Sequence, residues 1–327
     1  MIIKNIKPFA GQHCETTATG SLLLHLGIDL SEPMLFGLGE GLNFIFWNMK
    51  TMDFPFIGGR IKTDLLTQNI VRHLHLKLET RETSSLKKAW ENVKESIDSE
   101  IPVGIKLDSY HLEYFSSKIH FAGHYVTIYG YDEKNVYLID TLQQGGLVKT
   151  SLESFEMARN EKGPMSSKNL SYTIKASNIK YDLKKEIIQA INNNAKNYLN
   201  PPIKNISYKG ILKASKEIIK WFKKSEDVKR DFKITAILME KGGTGGALFR
   251  NLYRDFLKES YRISGIKKIG KSYVRFVEIA RLWREVSRLF LKAGESKDVE
   301  YINQASEILK KLADKEQEAM NILLNAD

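Results

Sequence analysis

The feature that most limits the fold is a change of pattern near residue 175. Up to that point, helical spacing alternates with strands rich in Val, Ile and Tyr, such as "IPVGIKL", "HYVTIYGY" and "NVYLIDT". Beyond it strand signals fade, and the spacing predicts helices over about 182–198, 208–224, 227–240, 245–262, 267–293 and 297–325. The sequence therefore predicts an α+β domain over residues 1–175 and a mostly α-helical domain over residues 176–327.

The balance of basic and acidic residues also changes near residue 175. The chain carries 50 Lys+Arg and 39 Asp+Glu, a net charge of +11. Residues 1–175 hold 19 basic and 20 acidic side chains, whereas residues 176–327 hold 31 and 19, a net charge of +12. A basic half points to an acidic protein, a nucleic acid or a membrane surface. Because no nucleic-acid module and no basic motif interleaved with aromatics is present, we expect no nucleic-acid partner.

One cysteine in 327 residues excludes an intramolecular disulfide and a cysteine-based zinc site. No apolar run approaches the roughly 18–20 residues of a membrane span, and "MIIKNIKPFAG" lacks the apolar core of a signal peptide. We therefore expect no membrane partner and a cytoplasmic location, where a thiol stays reduced.

That cysteine, Cys14, precedes Ala18, Leu22 and Leu26 at helical spacing, and Gly27 ends the run. The pattern places the thiol in the first turn of a helix, where unpaired amides and the helix dipole favour an anion. A thiolate is nucleophilic, so Cys14 is a candidate catalytic nucleophile. The alternative is an inert buried thiol that behaves as a small hydrophobe.

A candidate base lies in "HFAGHYVTIYGYDEKNVYLIDT". His124 opens one predicted strand and Asp140 closes the next. A hairpin with its loop at 131–133 would place the two side chains directly opposite each other on one face. A carboxylate in that position orients an imidazole, but a shift of one residue would separate the two faces. The alternative is a strand-end histidine and an unrelated turn aspartate.

Around these residues the chain resembles a known family. "GQHCETTATGSLLLHLGIDLSEPMLFGLGEGLNFIFW" and "FAGHYVTIYGYD...VYLIDT" are similar to the N-terminal domain of the butirosin biosynthesis protein H family, and "KGGTGGALFRNLYRDFLKES" looks like the helical domain that often follows it. The resemblance implies a papain-like cysteine-protease fold used for acyl transfer. The characterised type moves an amino-acyl group from an acyl carrier protein to an aminoglycoside amine.

Carried over to this chain, the resemblance makes Cys14 the nucleophile, His124 the base and Asp140 its orienting residue. The side chain of Gln12 is a candidate oxyanion donor beside the Cys14 backbone amide; a plain surface loop residue is the alternative. The implied partners are an acidic acyl carrier protein, which delivers the acyl group on its phosphopantetheine arm, and a small amine acceptor. No cofactor bound by the enzyme itself is expected.

Several side chains are candidates for contacts with the substrate or the carrier protein. Polar candidates for a substrate pocket follow a predicted strand: Asp108, Tyr110 and Tyr114. Candidates for a carrier phosphate lie one helical turn apart: Arg250 and Arg254. A basic stripe at helical spacing is a candidate docking surface, and the alternative is an ordinary solvated helix face: Arg281, Arg284, Arg288 and Lys292. A second stripe comprises Lys213, Lys216, Lys220 and Lys224.

Metal and nucleotide sites are not expected. "HLHLK" would place His73 and His75 on one face of a strand, but no third ligand stands out. "FGLGEGLNF" departs from the dinucleotide fingerprint, and "GGTGG" lacks the ending of a P-loop, so close-packed turns are the expectation for both.

Two other functions use the same residues. A cysteine peptidase or amidohydrolase would have the same triad with water as the acceptor. A non-catalytic binding protein would have the same scaffold with an unreactive thiol.

Overall fold

The computed structural model describes residues 1–49, 52–116, 119–176 and 180–326. The strands are β1 (Leu42–Trp47), β2 (Phe56–Arg60), β3 (Lys77–Arg81), β4 (Val103–Leu107), β5 (His124–Tyr131), β6 (Asn135–Ile139), β7 (Leu147–Ser151) and β8 (Ser171–Lys175). The α-helices are α1 (Cys14–His25), α2 (Glu32–Leu38), α3 (Leu65–His73), α4 (Leu86–Asp98), α5 (Leu152–Asn160), α6 (Leu183–Leu199), α7 (Ser207–Lys224), α8 (Val228–Lys241), α9 (Arg250–Ser264), α10 (Lys267–Ser296) and α11 (Val299–Leu323). Single 3₁₀ turns lie at Ser109–His111 and Leu142–Gln144, and Ala247–Phe249 forms a short turn with left-handed backbone.

The chain forms two compact units, each of which consists of two segments that are separated in sequence. The first unit comprises Met1–Leu35 and Thr63–Tyr181, and the second comprises Phe36–Lys62 and Asp182–Asp327. The mixed α/β composition and the helical C-terminal region predicted from the sequence are both present. The predicted boundary near residue 175 lies beside residues 177–179, which are outside the described ranges, and the second unit also includes an early segment.

The first unit is built on a six-stranded antiparallel sheet with the order β3-β8-β4-β5-β6-β7. Every residue of β4 is buried, as expected of a strand at the centre of a sheet. Apolar side chains of β4 and β5 form a core with α4 and α5, and that core includes Val93, Ile105, Val126 and Phe155. The sheet is thus the rigid support on which the ends of β5 and β6 are held.

Helix α1 packs against the same sheet and is buried along nearly its whole length. The hydroxyl of Thr127 on β5 donates to the carbonyl of Ala18 at 3.0 Å. The carboxylate of Glu15 has no exposed surface and accepts from both the amide and the hydroxyl of Thr67, each at 3.1 Å. Because its buried polar groups are bonded to the sheet and to α3, the start of α1 has a fixed position.

The six helices α6–α11 of the second unit correspond closely to the six predicted segments. The main difference lies at the start of the fourth, where α9 begins at Arg250 rather than near residue 245. Gly245 and Gly246 have positive φ, and so do the three residues Ala247–Phe249. A left-handed run cannot belong to a right-handed helix, so "GGTGG" and the residues after it form a tight turn.

A two-stranded hairpin, β1 paired with β2, also belongs to the second unit. The side-chain amide of Asn194 donates to the carbonyl of Leu42 at 2.9 Å, and the ring of Phe44 stacks on Trp283 at 5.5 Å. The hairpin therefore shares one core with helices that follow it by more than 120 residues.

A buried ion pair lies at the centre of this unit. The guanidinium of Arg250 bonds both carboxylate oxygens of Glu316 at 2.8 Å, and neither side chain is exposed. Trp283 Nε1–H and the Tyr198 hydroxyl also donate to Glu316. Arg250 further donates to the carbonyls of Leu248 and Gly59, at 2.8 and 3.3 Å. This network joins α6, α9, α10, α11 and the hairpin.

We predict that Glu316→Ala destabilises the second unit by about 3–5 kcal/mol, because it leaves the Arg250 charge buried without a partner. Glu318→Ala is a matched control on the same helix, since it removes an exposed carboxylate that pairs with Arg275. The control should cost less than about 1 kcal/mol. Urea unfolding of the three proteins measures both values, and equal losses would contradict the prediction.

Candidate functional site

Cys14 is the first residue of α1, as the sequence predicts, and it is buried. His13 is the N-cap, and its Nδ1 accepts from the backbone N–H of Thr16 at 3.4 Å. His13 is therefore held at the start of the helix as its cap, whereas the candidate base is His124. The thiol thus lies where the helix dipole and first-turn amides stabilise an anion.

The loop leading to Cys14 is held by Glu32, which sequence reasoning missed. Its buried carboxylate accepts from the backbone N–H of Gln12 at 2.9 Å, from that of His13 at 2.8 Å, and from the hydroxyl of Thr16 at 2.8 Å. Burial raises the pKa of Glu32, and these three donors oppose that effect. Glu32 fixes the backbone immediately before the thiol.

Gln12 itself has an exposed side chain. Only its backbone amide is used by Glu32. The assignment of its side-chain amide to an oxyanion site stays a prediction.

His124 and Asp140 come together. His124 Nε2 lies 2.8 Å from Asp140 Oδ2, and both side chains are buried. Burial alone lowers the pKa of His124, but the Asp140 charge, its hydrogen bond and a hydrogen bond to Cys14 together raise the pKa to about 10. Because Asp140 occupies Nε2, the Nδ1 atom is the ring nitrogen left for the thiol. The three side chains predicted from the sequence thus form one connected group.

The predicted register of the β5–β6 hairpin was wrong, although the two side chains do share a face. Thr127 pairs with Ile139, so Asp140 follows the strand and lies across from Val126 rather than from His124. Asp140 is therefore diagonal to His124, two residues away along β5. Diagonal neighbours remain within reach of long side chains.

A β-bulge in β5 determines that Asp140 lies on the same face of the sheet as His124. Asp132 and Asn135 close the tip of the hairpin, so its loop comprises residues 133–134 instead of the predicted 131–133, and Tyr131 pairs with Val136. Continued without interruption, that register would place Asp140 on the face opposite His124. The extra residue at Tyr129, between the Ile128 and Gly130 pairings, shifts the register by one and brings both side chains to the same face.

Two further residues complete the surroundings of the pair. The Tyr114 hydroxyl donates to Asp140 Oδ2 at 2.8 Å, and burial together with the Asp140 charge raises the pKa of Tyr114 well above its usual value. The ring of Phe115 meets the His124 ring edge to face at 5.1 Å. Sequence reasoning considered Tyr114 only as a pocket residue, whereas the structure makes it a partner of the carboxylate.

Asp108 and Tyr110, the other pocket candidates, have bonded partners. Buried Asp108 accepts from the backbone amides of Tyr110 at 2.8 Å and Phe121 at 3.1 Å, so it shapes its own loop. Tyr110 stacks on His120 with ring centroids 4.0 Å apart. Their role in binding substrate stays a prediction.

The predicted strand at residues 73–77 was wrong at its start. His73 ends α3, and His75 has a φ of 55° in the turn that leads to β3. The two histidines therefore do not share a strand face. The glycine-rich "FGLGEGLNF" segment was predicted to be a close-packed turn, but it runs from the end of α2 through a short turn into β1. The helix packs closely at Gly37, where a Cβ would lie 2.1 Å from the Phe256 ring.

The arginine candidates differ from one another. Arg250 is fully buried against Glu316, so its predicted contact with a carrier phosphate was wrong. Arg254 is partly exposed and bonds Asp255 and Asn251 on its own helix. The stripe on α10 is exposed at three positions: Arg281, Arg284 and Arg288.

Within the described ranges, no helix combines the length and apolar character needed to cross a bilayer.

Comparison with known families gives two matches. Residues 13–141 match the model described as butirosin biosynthesis protein H, N-terminal. Residues 153–323, more than half of the chain, match a domain of unknown function, DUF4872. The chain therefore belongs to the family defined by this second domain, and its N-terminal region is similar to the N-terminal region of butirosin biosynthesis protein H. No curated protein matches the chain.

We predict that Asp140→Asn moves the pH profile of Cys14 alkylation by iodoacetamide to higher pH. The variant removes the anion that raises the pKa of His124, so less imidazolium is present to stabilise the thiolate. In the wild type the pair of charges on His124 and Asp140 persists until the pH rises through about 10, where His124 loses its proton. It also stabilises the fold, fully so below the ordinary histidine pKa of about 6.5 and progressively less towards the raised value.

Asp132→Asn is the matched control, because Asp132 lies in the exposed turn at the other end of the same hairpin. Its alkylation profile should follow that of the wild type. Superimposable profiles for the wild type and Asp140→Asn would contradict the prediction. Uniformly slow alkylation of all three would indicate an inert thiol.

Proposed function

We propose that the protein is a cysteine-dependent acyltransferase that forms amides. It takes an acyl group from an acyl-carrier-protein thioester and delivers it, through a Cys14 acyl-enzyme, to a small amine. The observation that carries this proposal is the connected group of Cys14, His124 and Asp140 at the start of a buried helix. The description of the matched family, a butirosin biosynthesis protein, supports a role in natural-product biosynthesis.

The fold supports the same reading. A buried helix begins at the nucleophile and packs against an antiparallel sheet that supplies the histidine and the carboxylate. This arrangement agrees with a papain-like scaffold, the architecture that the sequence resemblance implies.

In the first half-reaction, the Cys14 thiolate attacks the thioester carbonyl. Backbone amides of the first turn of α1, with the Gln12 side chain, stabilise the oxyanion. The bond between the carbonyl carbon and the carrier sulfur breaks, and His124 supplies the proton that the departing thiolate takes up. Asp140 keeps the imidazole in the orientation and tautomer that this transfer requires.

In the second half-reaction, an amine attacks the acyl-enzyme and passes a proton to His124. The bond between the carbonyl carbon and Cys14 Sγ then breaks, which releases the amide and regenerates the thiolate. Hydrolysis would follow the same steps with water as the acceptor. Product analysis with and without an added primary amine separates the two, because a transferase forms amide in preference to the free acid.

Cys14→Ala should abolish formation of an acyl adduct and lower turnover by several orders of magnitude. The measurement is intact mass spectrometry after mixing with a set of acyl-carrier thioesters, followed by turnover with an amine. His25→Ala, which changes an exposed residue at the other end of α1, is the matched control and should retain the adduct. An active Cys14→Ala protein would refute the covalent mechanism.

Charge on α10 supports docking of an acidic carrier protein. Arg281, Arg284 and Arg288 are exposed along one side of the helix, within a half of the chain whose net charge is +12. Arg288 is paired with Glu285, whose pKa it lowers, and Arg281 also contributes to that lowering. Such a surface raises the rate of encounter with an acidic partner, and salt screens it over a Debye length of about 8 Å.

We predict that replacing Arg281, Arg284 and Arg288 with Glu raises the apparent KM for an acyl-carrier substrate by about tenfold, within the usual range of electrostatic steering. Turnover of a small thioester that needs no docking should be unchanged. The matched control places three glutamates on α7, at the exposed Lys216, Lys220 and Lys224. Equal effects of the two triple variants would show a general effect of net charge, and an equal loss with both substrates would show a structural role.

A further inference from the structure

A second group of polar side chains lies in the first unit, apart from the residues used above. His111 and His120 belong to the segment between β4 and β5, and Glu161 directly follows α5. One potential ligand atom from each lies within 4.8 Å of the other two. His111 Nε2 is 2.7 Å from Glu161 Oε2. Sequence reasoning missed this group, because its members are separated by up to 50 residues.

Asp108 gives His120 the form in which a histidine binds metal. Its Oδ2 lies 3.3 Å from His120 Nδ1, and the Asp108 side chain is only 2% exposed. A proton held on Nδ1 by that carboxylate leaves the lone pair of Nε2 unprotonated. A carboxylate behind a histidine is the usual outer partner at protein metal sites, where it fixes the tautomer and raises ligand basicity. The stacked ring of Tyr110 further limits rotation of His120.

We propose that His111, His120 and Glu161 form a binding site for Zn²⁺, with water as the fourth ligand and Asp108 as the outer partner of His120. Two imidazoles and one carboxylate are a common zinc ligand set, whereas Mg²⁺ and Ca²⁺ prefer oxygen ligands alone. Zinc bonds of about 2.0–2.2 Å place tetrahedral ligand atoms about 3.3–3.6 Å apart. The ligand atoms lie within 4.8 Å of one another, and reaching that geometry requires the partly exposed side chains of His111 and Glu161 to adjust.

The position of the site gives it a consequence for the Cys14 group. His111 and His120 lie on either side of Tyr114 and Phe115, which contact Asp140 and His124. A metal ion bonded to both histidines and to Glu161 would link the two ends of this segment to the end of α5. Zinc is therefore expected to tie His111 and His120, the residues that flank Tyr114 and Phe115 in sequence, to the end of α5.

The test is isothermal titration of metal-free protein with ZnCl₂, supported by the visible absorption of bound Co²⁺. Both are done in the Cys14→Ala protein, because Cys14 and His124 together offer zinc a competing pair of ligands. One site per chain is expected, with the absorption of four-coordinate Co²⁺ bound to nitrogen and oxygen. His120→Ala and Glu161→Gln should each weaken zinc binding by at least tenfold, and Asp108→Asn should weaken it by about 10–100-fold.

His25→Ala is the matched control, since it removes an exposed histidine that lies outside the proposed site. Its affinity for zinc should equal that of the parent protein. Circular dichroism of each variant establishes that the fold is retained before affinities are compared. The proposal is overturned if Cys14→Ala protein binds no zinc, or if His120→Ala and His25→Ala weaken binding equally.

Discussion

The first unit depends on one buried carboxylate. Asp140 has no exposed surface, and it accepts hydrogen bonds from the Thr141 amide at 2.6 Å, from Tyr114 and from His124. An ionised carboxylate in such a place is strongly unfavourable unless its oxygens are bonded. The three donors come from the end of β6, the segment after β4 and the start of β5, so satisfying this one group fixes three parts of the chain relative to one another. The orientation of the His124 ring follows from that arrangement.

A second constraint comes from the backbone. Side chains alternate between the faces of a strand, so an odd shift in register exchanges the faces. The later turn at Asp132 introduces such a shift, and the bulge at Tyr129 reverses it. The chemistry of the site therefore depends on an irregularity that contributes no side chain to it.

The parts of this structure that local patterns determine were accessible from the sequence. Six helices of the second unit and the helix start at Cys14 follow from spacing and from residue types. His124 and Asp140 were correctly paired from their residue types, but they meet through a register that the spacing did not predict. The rest depends on long-range pairing. Glu32 holds the loop before Cys14 through contacts across 19–20 residues. Arg250 is buried because it pairs with Glu316, a residue 66 positions later in the chain. The bulge was missed although Gly130, a glycine inside a strand pattern, is a sequence signal for one.

Separation in sequence within the second unit has a consequence for synthesis of the chain. Phe36–Lys62 lies inside the first region matched by a family model, yet its core partners begin only at Asp182. Ribosomes add about 5–20 residues per second, so these roughly 120 intervening residues take about 6–24 s to appear. During that interval the apolar residues of β1, among them Phe44, have been translated before the Trp283 ring that covers them exists. Until the helices are made, the apolar side chains of the hairpin have no core to pack against and must be shielded from other chains. The order of translation, rather than the stability of the finished core, therefore sets the period in which the protein is most exposed to aggregation.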